Sequence, residues 1–187
     1  MQAKKPDYFS ALYDVAKVIN ASLDPGQVLK QIVTQVAKAM NAKACALRVL
    51  GSRRKRLLMG ASCGLSKGYL HKGPIVVSES GLDQKVLKGE TVYMKDAQTD
   101  PDFQYGERAK AEGIHSVLVV PLMVGKKAVG VLRVYSGEVR KFGKDEIKFL
   151  EAAANLSAIA LDNARLHQAL KKDYDLLVAN TDRLDDN

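Results

Sequence analysis

The chain reads as an α+β domain: one central antiparallel sheet, the N- and C-terminal helices on one face, and a loop- and helix-covered pocket on the other. Three observations predict this. Apolar residues recur at helical spacing at both ends of the chain. The strand-like runs between them come in pairs joined by short turns, which makes them antiparallel neighbours. Between the two hairpins lies an irregular stretch, so the terminal helices cover one face of the sheet and the irregular middle lies over the opposite one. At 187 residues and 47% hydrophobic content the chain holds one ordinary domain plus an extension.

After a tail at 1–7, Phe9, Leu12, Val15, Ala16 and Ile19 predict a helix from Asp7 to Ala21. Ser22–Gly26 breaks it. Asp24 then caps a second helix with Pro25 at its first position, where a missing N–H is harmless. Val28, Leu29, Ile32, Val33, Val36, Ala37 and Met40 form that helix's buried stripe. Ala44–Leu50 and Leu57–Cys63 flank the turn Gly51–Arg56 as a β-hairpin. Gly64–Gly73 reads as a loop, Pro74–Ser78 as a short strand, Leu82–Lys88 as a brief helix and Thr91–Met94 as another short strand. Lys95–Gly113 is the least regular part, with a short helix near Glu107–Glu112. His115–Val124 and Ala128–Ser136 form the second hairpin around Gly125-Lys126-Lys127, and Phe142 opens a helix whose pattern runs almost to Leu184.

That last helix carries two apolar series. Ile147, Leu150, Ala154 and Leu161 suit the sheet side. The second series is Phe149, Ala153, Leu156, Ala160, Asn163, His167, Leu170, Tyr174, Leu177, Thr181 and Leu184, spaced alternately by four and three as in a coiled coil. It predicts a homodimer, with Asn163 and His167 fixing register. The domain is therefore bounded at 8–168, with a helical extension at 169–187 that frays from Asp182 onward.

Composition removes several classes of function. No apolar run approaches the roughly 20 residues of a membrane span, and Met1–Asp7 lacks the apolar stretch of a signal peptide. A cytoplasmic protein is expected. Cys45 and Cys63 are the only cysteines and form no CxxC pair, which argues against zinc and dithiol chemistry. The net charge of +8 divides into −4 from Asp173 onward and +12 before it. The densest basic run, Arg53–Arg56, has no interleaved aromatic residues and no nucleic-acid motif, so it reads as a solvated turn. No GxSxG, HExxH or Walker loop is present.

The element order and several local motifs resemble the GAF family, a small-ligand-binding and dimerisation module of signalling proteins. The resemblance covers roughly Tyr8 to Gln168. It rests on Ser22-Leu23-Asp24, Gly81-Leu82 with Val86 before Gly89-Glu90, Asp96 with Asp100-Pro101-Asp102-Phe103, the block Glu112 to Leu122, Gly130-Val131-Leu132, and Phe142 with Asp145. Gly113 suits a positive φ at a helix end, Pro121 an edge or bulge, and Phe142 the locking of the last helix.

The resemblance implies a pocket lined by Cys63, Leu65, Tyr69, Ile75, Asp96, Phe103, Tyr105, Ile114 and Ser116, holding an unidentified small molecule. Ser136-Gly137 stands where cyclic-nucleotide-binding members carry Asn-Lys, and no Cys precedes a His as in bilin-binding members. His71, His115 and His167 are isolated, which leaves haem without support. The reading is a non-enzymatic sensor that signals through its paired end helices to a separate partner. A ligandless dimerisation and interaction module is the alternative. A thiol-dependent, free methionine sulfoxide reductase-like enzyme using Cys63 is a minor third.

Overall fold

The computed structural model describes residues 6–21, 24–71 and 73–185, the segment 177–185 as helical backbone only. The expectations for Ser22-Leu23, for the side chains of Leu177, Thr181 and Leu184, and for residues 186–187 lie outside the described residues, whereas at 182–185, where fraying is expected, the backbone is helical. Two helices come first, α1 (Tyr8–Ala21) and α2 (Pro25–Ala39). Asp24 caps α2 by accepting hydrogen bonds from the Gly26 and Gln27 amides at 2.9 and 3.4 Å, which satisfies donors the first turn leaves open.

Strands β1 (Ala44–Leu50) and β2 (Arg56–Cys63) form the first hairpin. They are followed by α3 (Lys67–Leu70), β3 (Ile75–Val76), a 3-10 turn (Val77–Glu79), α4 (Gly81–Leu87), β4 (Val92–Met94) and α5 (Gly106–Glu112). The second hairpin is β5 (Val117–Val124) with β6 (Lys127–Tyr135), and α6 (Lys144–Asp185) ends the chain. The strands build one antiparallel sheet in the order β3-β2-β1-β6-β5-β4.

The two hairpins meet at the sheet's centre, where β1 pairs with β6. Gly130 allows that meeting: a Cβ there would collide with the Arg48 carbonyl and lie 2.9 Å from Leu122 Cδ1. At the end of α5, Gly113 adopts φ 67°, the left-handed cap that turns the chain into β5. Pro121 lies past the end of β4, whose pairing with β5 stops at Val119, so its missing N–H interrupts no ladder on that side.

Alternation along the strands sends side chains to two separate cores. On the helical face, Cys45, Leu47, Leu118, Val120, Leu122, Leu132 and Val134 pack with α1, α2 and α6. On the other face, Ala44, Ala46, Leu50, Val117, Val119, Val131 and Tyr135 pack beneath α3, α4, α5 and their loops. The α+β layering predicted from the sequence is the one observed.

Several details differ from expectation. Phe9 is 82% exposed, and Tyr8 takes the inward position instead, stacked on Phe149 at 4.8 Å between ring centroids. The Gly64–Gly73 loop contains α3, capped by the Ser66 hydroxyl accepting from the Tyr69 amide. Phe149 and Ala153 are buried against the domain's own helices and sheet. The physical reason is that the first turns of α6 lie against the domain, so Phe149 and Ala153 are covered by the chain itself, whereas Leu156 and Ala160 further along the same series are half-buried.

Candidate functional site

The covered face holds polar groups that an apolar core does not require. Arg48 on β1 and Arg133 on β6 share the parity of Ala46 and Tyr135 and point under the covering segment, 1% exposed each. Asp83, on α4, pairs with Arg133 through Oδ1. Its Oδ2 accepts from the Ser80 hydroxyl at 2.7 Å, and the same hydroxyl accepts from the Asp83 amide at 3.3 Å and so caps α4. Each carboxylate oxygen thus has one partner.

Arg48 has no such partner. Its Nη1 donates to the Leu57 carbonyl at 3.3 Å, while Nε and Nη2 are buried without an acceptor, as are Arg133 Nε and the Tyr135 hydroxyl. Burial pushes the Arg48 guanidinium below its ordinary pKa, and repulsion from Arg133 adds to this against the pull of Tyr135. Burial acts the same way on Arg133, but Asp83 and Tyr135 outweigh it and its pKa is raised. Arg48, Arg133 and Asp83 are the charged side chains buried among the described residues, which leaves one positive charge over.

Tyr69 closes this cluster from above, its ring edge-on to Tyr135 at 6.2 Å. Burial raises the Tyr69 phenol's pKa. The α3 segment that carries Tyr69 is tied to α5: Glu112 accepts from the Ser66 amide at 2.7 Å and from its hydroxyl at 2.5 Å.

Of the residues expected to line a pocket, Leu65, Tyr69, Ile75, Phe103, Tyr105 and Ile114 do gather on this face, and they pack on one another. Three do not join them. Cys63 packs against the helical-face cluster, opposite Cys45 in register. Asp96 is half-buried in the loop after β4, where it meets His115 Nδ1 at 3.2 Å and accepts from the Gln98 amide. Ser116 is a stitch between segments: its hydroxyl donates to the Lys95 carbonyl at 2.6 Å and accepts from the Arg140 amide at 2.9 Å.

Sequence reasoning passed over Arg48, Arg133 and Asp83. The available clue was an arginine at inward parity in each of two strands that are apolar around it, ACALRVL and, past its exposed first lysine, KAVGVLRVY.

A second region lies on the helical side. A groove of about 260 Å³ runs between α1, α2 and α6, lined by Ile19, Pro25, Val28, Ala160, Asn163, Ala164 and His167. Beyond Leu161, the last buried position described in α6, Leu166, Leu170, Tyr174 and Leu176 are 56–69% exposed. Ile159 is also exposed, and Leu156 and Ala160 are half-buried. Ile159 and Leu166 stand beside the series read from the sequence, so the apolar stripe is broader than that series. Among the described residues no three His, Cys, Asp or Glu side chains gather as a metal site, and no helix is long and apolar enough to cross a membrane.

A helix-backed antiparallel sheet whose other face is roofed by short helices and loops is a GAF-like α+β fold. The chain belongs to the GAF family: the GAF domain model matches residues 22–162. It is 24% identical over 181 residues to a formate hydrogenlyase transcriptional activator from Salmonella typhimurium, covering 94% of this chain and 26% of that protein. The chain thus spans about a quarter of that relative's length. Among solved structures it is similar to the GAF domain of an Acinetobacter phosphoenolpyruvate-protein phosphotransferase, with TM-score 0.73, 28% identity, and 84% and 94% of the two chains covered. A free methionine-R-sulfoxide reductase from Neisseria meningitidis shares the fold at TM-score 0.73 and 19% identity, over 89% and 96% of the chains. The chain is a GAF domain homologous to domains of regulatory proteins.

Proposed function

We propose that this domain is a non-enzymatic, cytoplasmic sensor in which a small molecule, held between the sheet and its roof, biases the pairing of α6 with a second copy. The observation that carries the reading is α6 itself, which continues past Leu161 with Leu166, Leu170, Tyr174 and Leu176 exposed. A helix this long leaves its own domain behind, and an isolated helix draws most of its stability from packing an apolar face. A second copy supplies that face. The seam runs through Leu156, Ala160, Asn163, His167, Leu170 and Tyr174 and on toward Leu177, with Phe149 and Ala153 left inside each protomer. Output requires that the ligand favour one pairing of the helices over another, and a further signalling protein or domain reads that pairing.

Light scattering on the purified chain tests the dimer: a twofold mass is expected, reduced to a monomer by Leu170→Glu with helical content unchanged. A monomeric wild-type chain at tens of micromolar would sink the pairing. Native mass spectrometry of the same sample tests for a retained small molecule.

A ligandless dimerisation module is the second reading, favoured by the close packing of Tyr69, Ile75, Phe103 and Ile114. The reductase reading has less support, because Cys63 packs on the helical side, away from the roofed cluster.

A further inference from the structure

We infer that the molecule received on the roofed face is a small anion bearing carboxylate or phosphate-type oxygens, with Arg48 as its principal contact and Arg133 and Tyr135 as flanking donors. This rests on the sensor reading above and specifies the ligand's chemistry. A buried guanidinium without acceptors is expensive for a fold to keep, because the group loses its hydration and receives little in return. Arg48 makes one hydrogen bond, at 3.3 Å, and the N–H groups on Nε and Nη2 have no acceptor. The Asp83 carboxylate attracts Arg48 through space but makes no hydrogen bond with it, its oxygens meeting Arg133 and Ser80 instead.

The surplus is therefore one positive charge together with a set of unfilled donors at the centre of the sheet. Arg48 Nε and Nη2, Arg133 Nε and the Tyr135 hydroxyl can all donate, and a planar guanidinium edge matches two oxygens of an oxyanion. A cation would be repelled, and a neutral molecule would leave the extra charge unanswered. The same patch is roofed by Tyr69, whose helix is held down through the Ser66–Glu112 contact, so admission of the anion requires that contact to open.

The test uses the whole chain with sodium acetate, sodium oxalate and inorganic phosphate, against acetamide and sodium chloride as controls. Thermal melting and the side-chain Nε–H resonance of Arg48 are followed together. At least one oxyanion is expected to raise the melting temperature saturably, by about 5–10 °C at a hundredfold excess over its Kd, and to shift the Arg48 Nε–H signal. Arg48→Met should weaken that anion about ten- to a hundredfold while the unliganded variant melts no lower than wild type. Arg48→Lys should bind with intermediate strength.

No stabilisation and no Nε–H shift with any of the three oxyanions overturns the inference, as does undiminished anion binding by Arg48→Met. If acetamide binds as well as acetate, the anion assignment falls while the sensor reading stands. Should Arg48→Met fail to fold, the Nε–H resonance of the wild-type chain decides the matter alone.

Discussion

The sheet's two faces are closed in different ways. Against α1, α2 and α6 it presents an apolar surface of Leu, Val, Ala and Cys, with no buried charged group on that side among the described residues. Against the short helices and loops of the roof it keeps two arginines and an aspartate with their charges buried. Long helices offer continuous apolar stripes, so the first face is sealed by shape and area alone. The roof is made of elements of four to seven residues, and it is held by side-chain hydrogen bonds and one buried ion pair. The two faces should therefore respond differently to mutation.

The largest effect is expected on the roofed face. Asp83→Leu strands Arg133 and should cost about 3–5 kcal/mol, whereas the double replacement Asp83→Leu with Arg133→Met should recover most of that loss. Chemical denaturation of the three chains measures both values, and a single-mutant loss below about 1 kcal/mol would erase the contrast. On the helical face, Phe149→Ala removes a buried ring stacked on Tyr8 and should cost about 3–4 kcal/mol through lost packing. That loss should be the same at low and high protein concentration; dependence on concentration would move Phe149 to an interface between copies.

At the seam of the hairpins, Gly130→Ala pushes a methyl into the Arg48 carbonyl and the Leu122 side chain, for about 1–3 kcal/mol. The smallest effect concerns the thiols. Cys45 is fully buried and its burial raises its pKa, while Cys63 is only half-buried. A disulfide reagent should label one thiol per folded chain, at Cys63, and reach Cys45 only on unfolding.

The layers and nearly every element were legible in the sequence because period and turn chemistry carry them. β1 spans Ala44–Leu50 as its apolar run predicts, and Gly113 and Pro121 occupy the positions their backbone constraints demand. The outward series on α6 was half legible. A spacing of four and three cannot tell a residue that meets its own domain from one that meets a copy, so Phe149 and Ala153 matched a pattern that burial then reassigned. The roofed face was least legible. Its apolar lining could be approximated from the family, but Arg48 and Arg133 look like ordinary strand charges until both faces of the sheet are known to be covered. The resemblance implies a pocket position for Cys63, whereas its side chain follows Cys45 to the other side.

Between Lys144 and Asp185 the sequence of α6 contains neither Gly nor Pro, the residues that kink helices, over 42 residues. At 1.5 Å per residue that is a rod of about 63 Å, of which about 36 Å lies past Leu161. A rod without a joint works as a lever arm: tilting its seated end by about 5° sweeps the free end through about 3 Å, roughly the rise of two helical residues. Displacements too slight to matter among the close-packed strands thus arrive at the far tip enlarged to the scale of a side chain.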